Sequence, residues 1–190
     1  WLGEQEVIDS GIPYTIFRPS MLYGEGDEFL NVLAGLVRLF PVVPVIGSGN
    51  NRMQPLAVDD LARCIVSSLD RGDLKSRILE FGGPQRVNYN ELVSKVSKAM
   101  GKRRLRLHLP IWLIYAVAKI SERLLPRSLI TTDQIKMLEV RSVANLGEVD
   151  RLFGFTPRPM EGNIGFVNSV GVADGVRMLL GSIPHRIRDH

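Results

Sequence analysis

Three groups of side chains in this sequence have types and spacings that could do chemistry. Tyr115 and Lys119 form a Tyr-x-x-x-Lys pair, a spacing that sets both side chains on one helix face. A cation beside a phenol lowers its pKa, so such a pair can donate and recover a proton. The neighbours are densely apolar and no cofactor-holding loop precedes them. They favour a core helix with Tyr115 buried and Lys119 at its edge. In the second group, Arg52 and Gln54 follow the Gly/Asn-rich stretch from Gly47 to Asn51, where an arginine can grip phosphate or carboxylate. In the third, Arg18-Pro19 follows the β-branched and aromatic run Tyr14-Thr15-Ile16-Phe17. A strand ending in Arg-Pro places rigid backbone at the carboxyl end of a sheet, the edge at which open α/β sheets bind ligands.

Other chemistries find little support. Gly47-Ser48-Gly49 lacks the third glycine of a dinucleotide fingerprint and no helix follows it directly, so it makes a poor pyrophosphate cradle. His108, His185 and His190 are far apart and no acidic pair shares their spacing, so no metal site is expected. There is no Gly-x-Ser-x-Gly nucleophile elbow. The single cysteine, Cys64, excludes an internal disulfide framework.

The elements that must position these groups alternate between strand and helix. A helix over 4–9 closes at Gly11, and a buried strand covers 14–17. Asp27 caps a helix to about residue 40, with Leu30, Leu33, Ala34 and Val37 on one face, stopped by Pro41 and Pro44. A short strand over 42–46 and another over 54–58 follow, and Asp59-Asp60 stands as the N-cap of a helix carrying Leu61, Ile65, Val66 and Leu69. A strand over 77–81 stops at Gly82-Gly83-Pro84. Asn88 to Glu91 then forms a capping box for a helix closing at Gly101. Leu105, Leu107 and Leu109 alternate with Arg104, Arg106 and His108 as in a half-exposed strand. Pro110 opens a helix, and Thr131 to Gln134 reads as a further capping box. Gly171 and Gly175 stand four apart, a spacing that permits close helix packing. The order of elements predicts an α/β architecture with an incomplete sheet, its N-terminal βαβ units missing.

The chain has 190 residues, 45% of them hydrophobic, which suits a foldable domain or part of a larger one. No uncharged apolar stretch reaches the ~20 residues a membrane span needs. Trp1 at the start, inside an apparent helix, suggests a chain cut from something longer, so targeting signals are not judgeable. The net charge of +4 is unevenly placed. Seven cations (Lys102, Arg103, Arg104, Arg106, Lys119, Arg123, Arg127) against Glu122 make residues 102–127 a +6 segment, and the remainder sums to −2. Such a segment is either a solvated basic face or a docking surface for an acidic partner or anionic membrane. Few aromatics interleave it and no nucleic-acid motif accompanies it, so nucleic acid is not expected as a partner.

The block from Gly11 to Asp60, with its Arg18-Pro19 strand, Arg52-Met53-Gln54-Pro55 and Val58-Asp59-Asp60, resembles the second half of an extended or atypical short-chain dehydrogenase/reductase. That is the NAD-dependent epimerase/dehydratase superfamily. Gly82-Gly83-Pro84, Tyr89-Asn90-Glu91-Leu92, Leu109-Pro110, Thr131-x-Asp133-Gln134 and Gly154-Phe155-Thr156-Pro157 extend the likeness to about residue 157. Within the superfamily they point to the branch of the nucleotide-binding accessory subunit of respiratory complex I and its prokaryotic relatives.

The resemblance implies a Rossmann-like NAD(P)-binding domain with a substrate-side lobe over 1–157 and a Gly-rich apolar extension over 158–190. It implies that Pro19, Ser20 and Met21 face the nicotinamide end of NAD or NADP. It places Tyr23 and Gln54 on the substrate side and Arg52 as a phosphate grip, with Asp60 structural. The family's phosphate loop is absent, and its catalytic Tyr-x-x-x-Lys is expected just upstream of Trp1, so Tyr115–Lys119 is a coincidence. The cofactor would then need the missing N-terminal half. Three readings stay open: a complex I accessory-type protein that holds the cofactor structurally; an active epimerase, dehydratase or reductase on a nucleotide-sugar or small carbonyl substrate; and a membrane-peripheral assembly module. The location implied is cytoplasmic or peripheral to an energy-transducing membrane.

Overall fold

The computed structural model describes residues 2–124, 144–180 and 182. Helix α1 (Leu2–Asp9) leads to strands β1 (Thr15–Pro19) and β2 (Met21–Tyr23), then α2 (Glu28–Leu39) and β3 (Val42–Ile46). Strands β4 (Arg52–Met53) and β5 (Pro55–Ala57) precede α3 (Val58–Ser68), β6 (Arg77–Phe81), β7 (Val87–Asn88) and α4 (Tyr89–Ala99). Then come β8 (Leu105–Leu109), α5 (Ile111–Leu124), α6 (Glu148–Phe153) and α7 (Val172–Leu179). The capping box expected from Thr131 to Gln134 lies outside the described residues.

β1 pairs with β6, β2 with β5 and β3 with β8, all parallel, and β4 pairs antiparallel with β7. Parallel neighbours need crossover connections, and helices between the strands supply them, which is the α/β architecture expected. β1 runs into β2 with only Ser20 between, so the β2–β5 ladder continues the line of β1–β6. The changeover is marked by the Ser20 amide, which donates to the Phe81 carbonyl at 2.7 Å.

Three apolar clusters are buried among the described residues, the smallest at Ile114 and Ala118 of α5. The largest joins Leu30, Leu33, Ala34 and Val37 of α2 to Val43 and Val45 of β3 and to Leu92 and Val96 of α4. It also takes in Met160, Ile164, Val167, Val170 and Met178, so residues on both sides of the division expected at 157 share one core. Contact between α2 and α7 is close because glycines meet there. A Cβ on Gly35 would lie 3.3 Å from the Gly175 Cα. The second cluster gathers Leu56, Leu61, Cys64, Leu79, Phe81 and Val149. Phe81 stands between Phe17 and Phe153, with ring centroids 5.5 and 5.6 Å away. The expectation for Asp59-Asp60 needs correction. Ala57 occupies the N-cap of α3, and both aspartates lie in the first turn, where a carboxylate still favours the helix dipole.

Asp27 caps α2 as expected, one carboxylate oxygen accepting from the Phe29 amide at 2.9 Å and the other from Leu30 at 3.2 Å. Burial outweighs these bonds and pushes its pKa up to about 6. A folded pKa above the unfolded value means a contribution fully present below about pH 4 and lost as pH rises through 6. Asp27→Asn keeps an acceptor but does not titrate. The stability difference should therefore move in favour of wild type by on the order of 2 kcal/mol from neutral pH down to about 4, read by urea unfolding at both ends.

Candidate functional site

The carboxyl edge of the β1–β6 ladder is built around Gln54. Its backbone amide donates to the Ser20 Oγ at 3.1 Å, and its carbonyl accepts from the Gly83 amide at 3.2 Å. Its side-chain Nε2 donates to the Gly83 carbonyl at 2.7 Å, and its Oε1 accepts from the Ala144 amide at 3.1 Å. The residue is fully buried. Gly82 and Gly83 are what let it in. A Cβ on Gly82 would stand 2.4 Å from the Gln54 side chain, and one on Gly83 would overlap the Pro55 carbonyl oxygen at 1.7 Å. Four segments, after β1, before β5, after β6 and at residue 144, are thus tied at one residue.

The expected nicotinamide-side residues lie at this crossing. Pro19 ends β1, Ser20 accepts from Gln54, and Met21 opens β2 against the largest core cluster, all three partly exposed. The expected substrate-side residues separate. Arg52 is exposed on β4 opposite Asn88. Gln54 is committed to backbone at both ends of its amide and braces the sheet edge. Tyr23 is also buried, its hydroxyl donating to the Arg158 carbonyl at 3.1 Å. Burial first, and then the charge of Asp60, push that phenol up to about 12.

Beyond Tyr23 lies an unforeseen cluster. Arg158 donates from its backbone amide to Asp60 at 2.7 Å, from Nε to Asp60 at 3.2 Å and from Nη2 to Asp59 at 2.8 Å. The Asp59 bond is the largest cause holding its pKa above the usual arginine value. The cluster borders a cavity of about 540 Å³ at the ends of β2 and β5, lined by Glu25, Asp59, Arg158, Asn163 and Phe166 among others. The run Gly154 to Pro157 marks a turn, but nothing local shows that the next residue reaches Asp60 98 positions away.

The remaining sequence candidates have structural tasks. Tyr115 packs beside the buried Ile114 and Ala118, and Lys119 is exposed. The Gly47 to Asn51 loop is held by Asn90, whose Nδ2 donates to the Ser48 carbonyl at 2.9 Å. His108 meets the Asn90 Oδ1 at 3.1 Å. Among the described residues no group of His, Cys, Asp and Glu could hold a metal.

No family model matches the chain. Subunit 9 of the NADH dehydrogenase (ubiquinone) 1 alpha subcomplex, mitochondrial, from Arabidopsis thaliana is 34% identical over 91 residues, 47% of this chain and 23% of the relative. Its counterpart from Mus musculus is 27% identical over 163 residues, 84% of this chain and 43% of the relative. The chain therefore spans less than half the length of these curated relatives. Among solved structures, UDP-glucuronic acid 4-epimerase from Bacillus cereus, in complex with UDP-glucuronic acid and NAD, superposes with a TM-score of 0.61 at 14% identity. That match covers 90% of this chain and 51% of the epimerase. The fold is that of the epimerase-type short-chain dehydrogenases.

Gln54→Leu keeps the volume and strands the Gly83 carbonyl and the Ala144 amide in a dry interior. It should cost about 2–4 kcal/mol in urea unfolding, since each buried unpaired group costs roughly 1–3. Arg52→Ala, on the exposed β4, should change stability by less than about 0.5 kcal/mol.

Proposed function

We propose that this chain is the substrate-side part of an NAD(P)-binding, short-chain-dehydrogenase-like protein of the complex I accessory type, in which the dinucleotide is held as a structural element. The observation that carries this reading is the crossing at Gln54. There the Gln54 backbone amide holds the Ser20 Oγ while its buried side-chain amide braces the adjoining loop, so a ring docking at residues 19–21 meets a preformed surface. The similarity to subunit 9 of the NADH dehydrogenase alpha subcomplex supports the accessory assignment. Pro19, Ser20 and Met21 fit only the nicotinamide end. Among the described residues no glycine-rich strand–loop–helix is available for the pyrophosphate, so that end of the cofactor, NAD or NADP, requires chain outside these elements.

In this reading the lobe continues through residue 180, because Met160 to Met178 share its core. Tyr23 shapes the substrate side through Arg158 without presenting a free hydroxyl, and Arg52 is the one expected substrate contact that stays open to solvent. The protein would sit in a larger assembly at the periphery of an energy-transducing membrane. Among the described residues no helix is long and apolar enough to cross one. A second reading, an active epimerase or reductase, is favoured by one observation: Arg52 stands exposed where a phosphate grip is expected.

Titrating the intact protein with NADH and with NADPH, followed by nicotinamide fluorescence, separates these readings. The accessory reading expects saturable binding of at least one, and no oxidation or epimerisation when UDP-glucose or a small aldehyde is added. Turnover would establish the second reading, and binding of neither dinucleotide would refute both.

A further inference from the structure

The β3–β8 ladder stacks Val42 on Leu105, Pro44 on Leu107 and Ile46 on Leu109. Alternation along parallel strands puts these six on one face and Val43, Val45, Arg106 and His108 on the other. The second face is tied to the protein at every position, although Arg106 and His108 remain exposed. Val43 and Val45 are buried, Arg106 donates to the Asn90 carbonyl and Ser94 Oγ at 3.2 Å each, and His108 meets Asn90. The first face is aliphatic throughout, and α5 covers its Ile46–Leu109 end through Ile114 and Ala118. Leu105 is left 72% exposed and Leu107 52%.

Because α5 lies on that same face, its outer stripe extends the uncovered surface. Trp112 is 70% exposed, Ile120 59% and Val117 53%. Lys102 and Arg103 lie just before the strand, and exposed Lys119 and Arg123 flank the stripe. Over residues 102–124 the only anion is Glu122. A monomer rarely leaves a contiguous apolar surface of this kind uncovered. A second copy packed symmetrically would set these cations against themselves, so self-association is disfavoured. An occupant that is apolar below and anionic above satisfies both halves of the surface.

We propose that the leucine face of β3–β8 and the outer stripe of α5 dock on an anionic lipid surface. Leu105, Leu107 and Ile120 enter the acyl boundary and Trp112 sits at headgroup level. Lys102, Arg103, Lys119 and Arg123 meet lipid phosphates. The inference stands on surface geometry and does not depend on whether a dinucleotide binds.

Flotation of the intact protein with vesicles tests it, using phosphatidylcholine alone and an equimolar mixture with phosphatidylglycerol. The expected result is binding to the mixed vesicles at low salt, little to the neutral ones, and loss of binding as salt rises. Leu105→Ser with Leu107→Ser should lower the partition coefficient roughly tenfold or more, and each cation exchanged for glutamine roughly fivefold. Thermal unfolding should stay nearly unchanged, since the substituted side chains are exposed or, at Lys102, half-buried. No binding to phosphatidylglycerol vesicles at low salt overturns the proposal, including the case in which an acidic protein surface is bound instead. So does binding that the serine pair leaves intact, which would reduce the contact to charge alone.

Discussion

The Gln54 amide is the point through which this structure is held together. It sits where one parallel ladder gives way to the next, and it bonds the backbone before β5 to the loop after β6 and to residue 144. An amide can do this because it carries a donor and an acceptor at one end of a short stem. A buried Gln so paired is stable, whereas the same groups unpaired would each oppose folding. The two glycines opposite are its necessary complement. Any Cβ at Gly83 would occupy the space of the Pro55 carbonyl. Everything expected of the sheet edge, above all a fixed Pro19-Ser20-Met21 surface, presupposes this lock.

A second tie works by charge at the far end of the β2–β5 ladder. Arg158 holds Asp59 and Asp60 of α3 while its carbonyl receives the Tyr23 hydroxyl. Tyr23 and Asp60 are buried and Asp59 is exposed, so the salt bridge is graded from dry to wet. The dry part fixes the start of α3 against the loop after residue 157, and the exposed part adds little to stability. Among the described residues, Arg52 and the basic apolar surface of β8 and α5 stay exposed to solvent.

Much of the fold was legible because its signals are local. Asp27, the Asn88 capping box, Gly101 and Pro110 each act within a turn of the backbone, and the elements they bound appear where they were expected. The site was less legible because its decisive contacts are not local. Gln54 follows a Gly/Asn-rich loop beside an arginine, which is how a ligand contact looks in sequence. Only the fold brings Gly83 29 positions away onto its amide. Asp60 and Arg158 are separated still further. For β8, alternation correctly divided leucines from cations but could not say which set faces inward. Arg106 and His108 turn to α4, and the leucines face out, because the neighbouring Val43 and Val45 already belong to the core on the other side.

As proposed, the edge braced by Gln54 receives the nicotinamide end of a dinucleotide. A structure of the intact protein crystallised with NADH or NADPH tests it most directly. The expected result is density for the nicotinamide ring in van der Waals contact with Pro19, Ser20 or Met21, with the Gln54 bonds to Gly83 and Ala144 unchanged. A dinucleotide seated away from residues 19–21, for instance in the cavity beside Arg158 and Phe166, would contradict it.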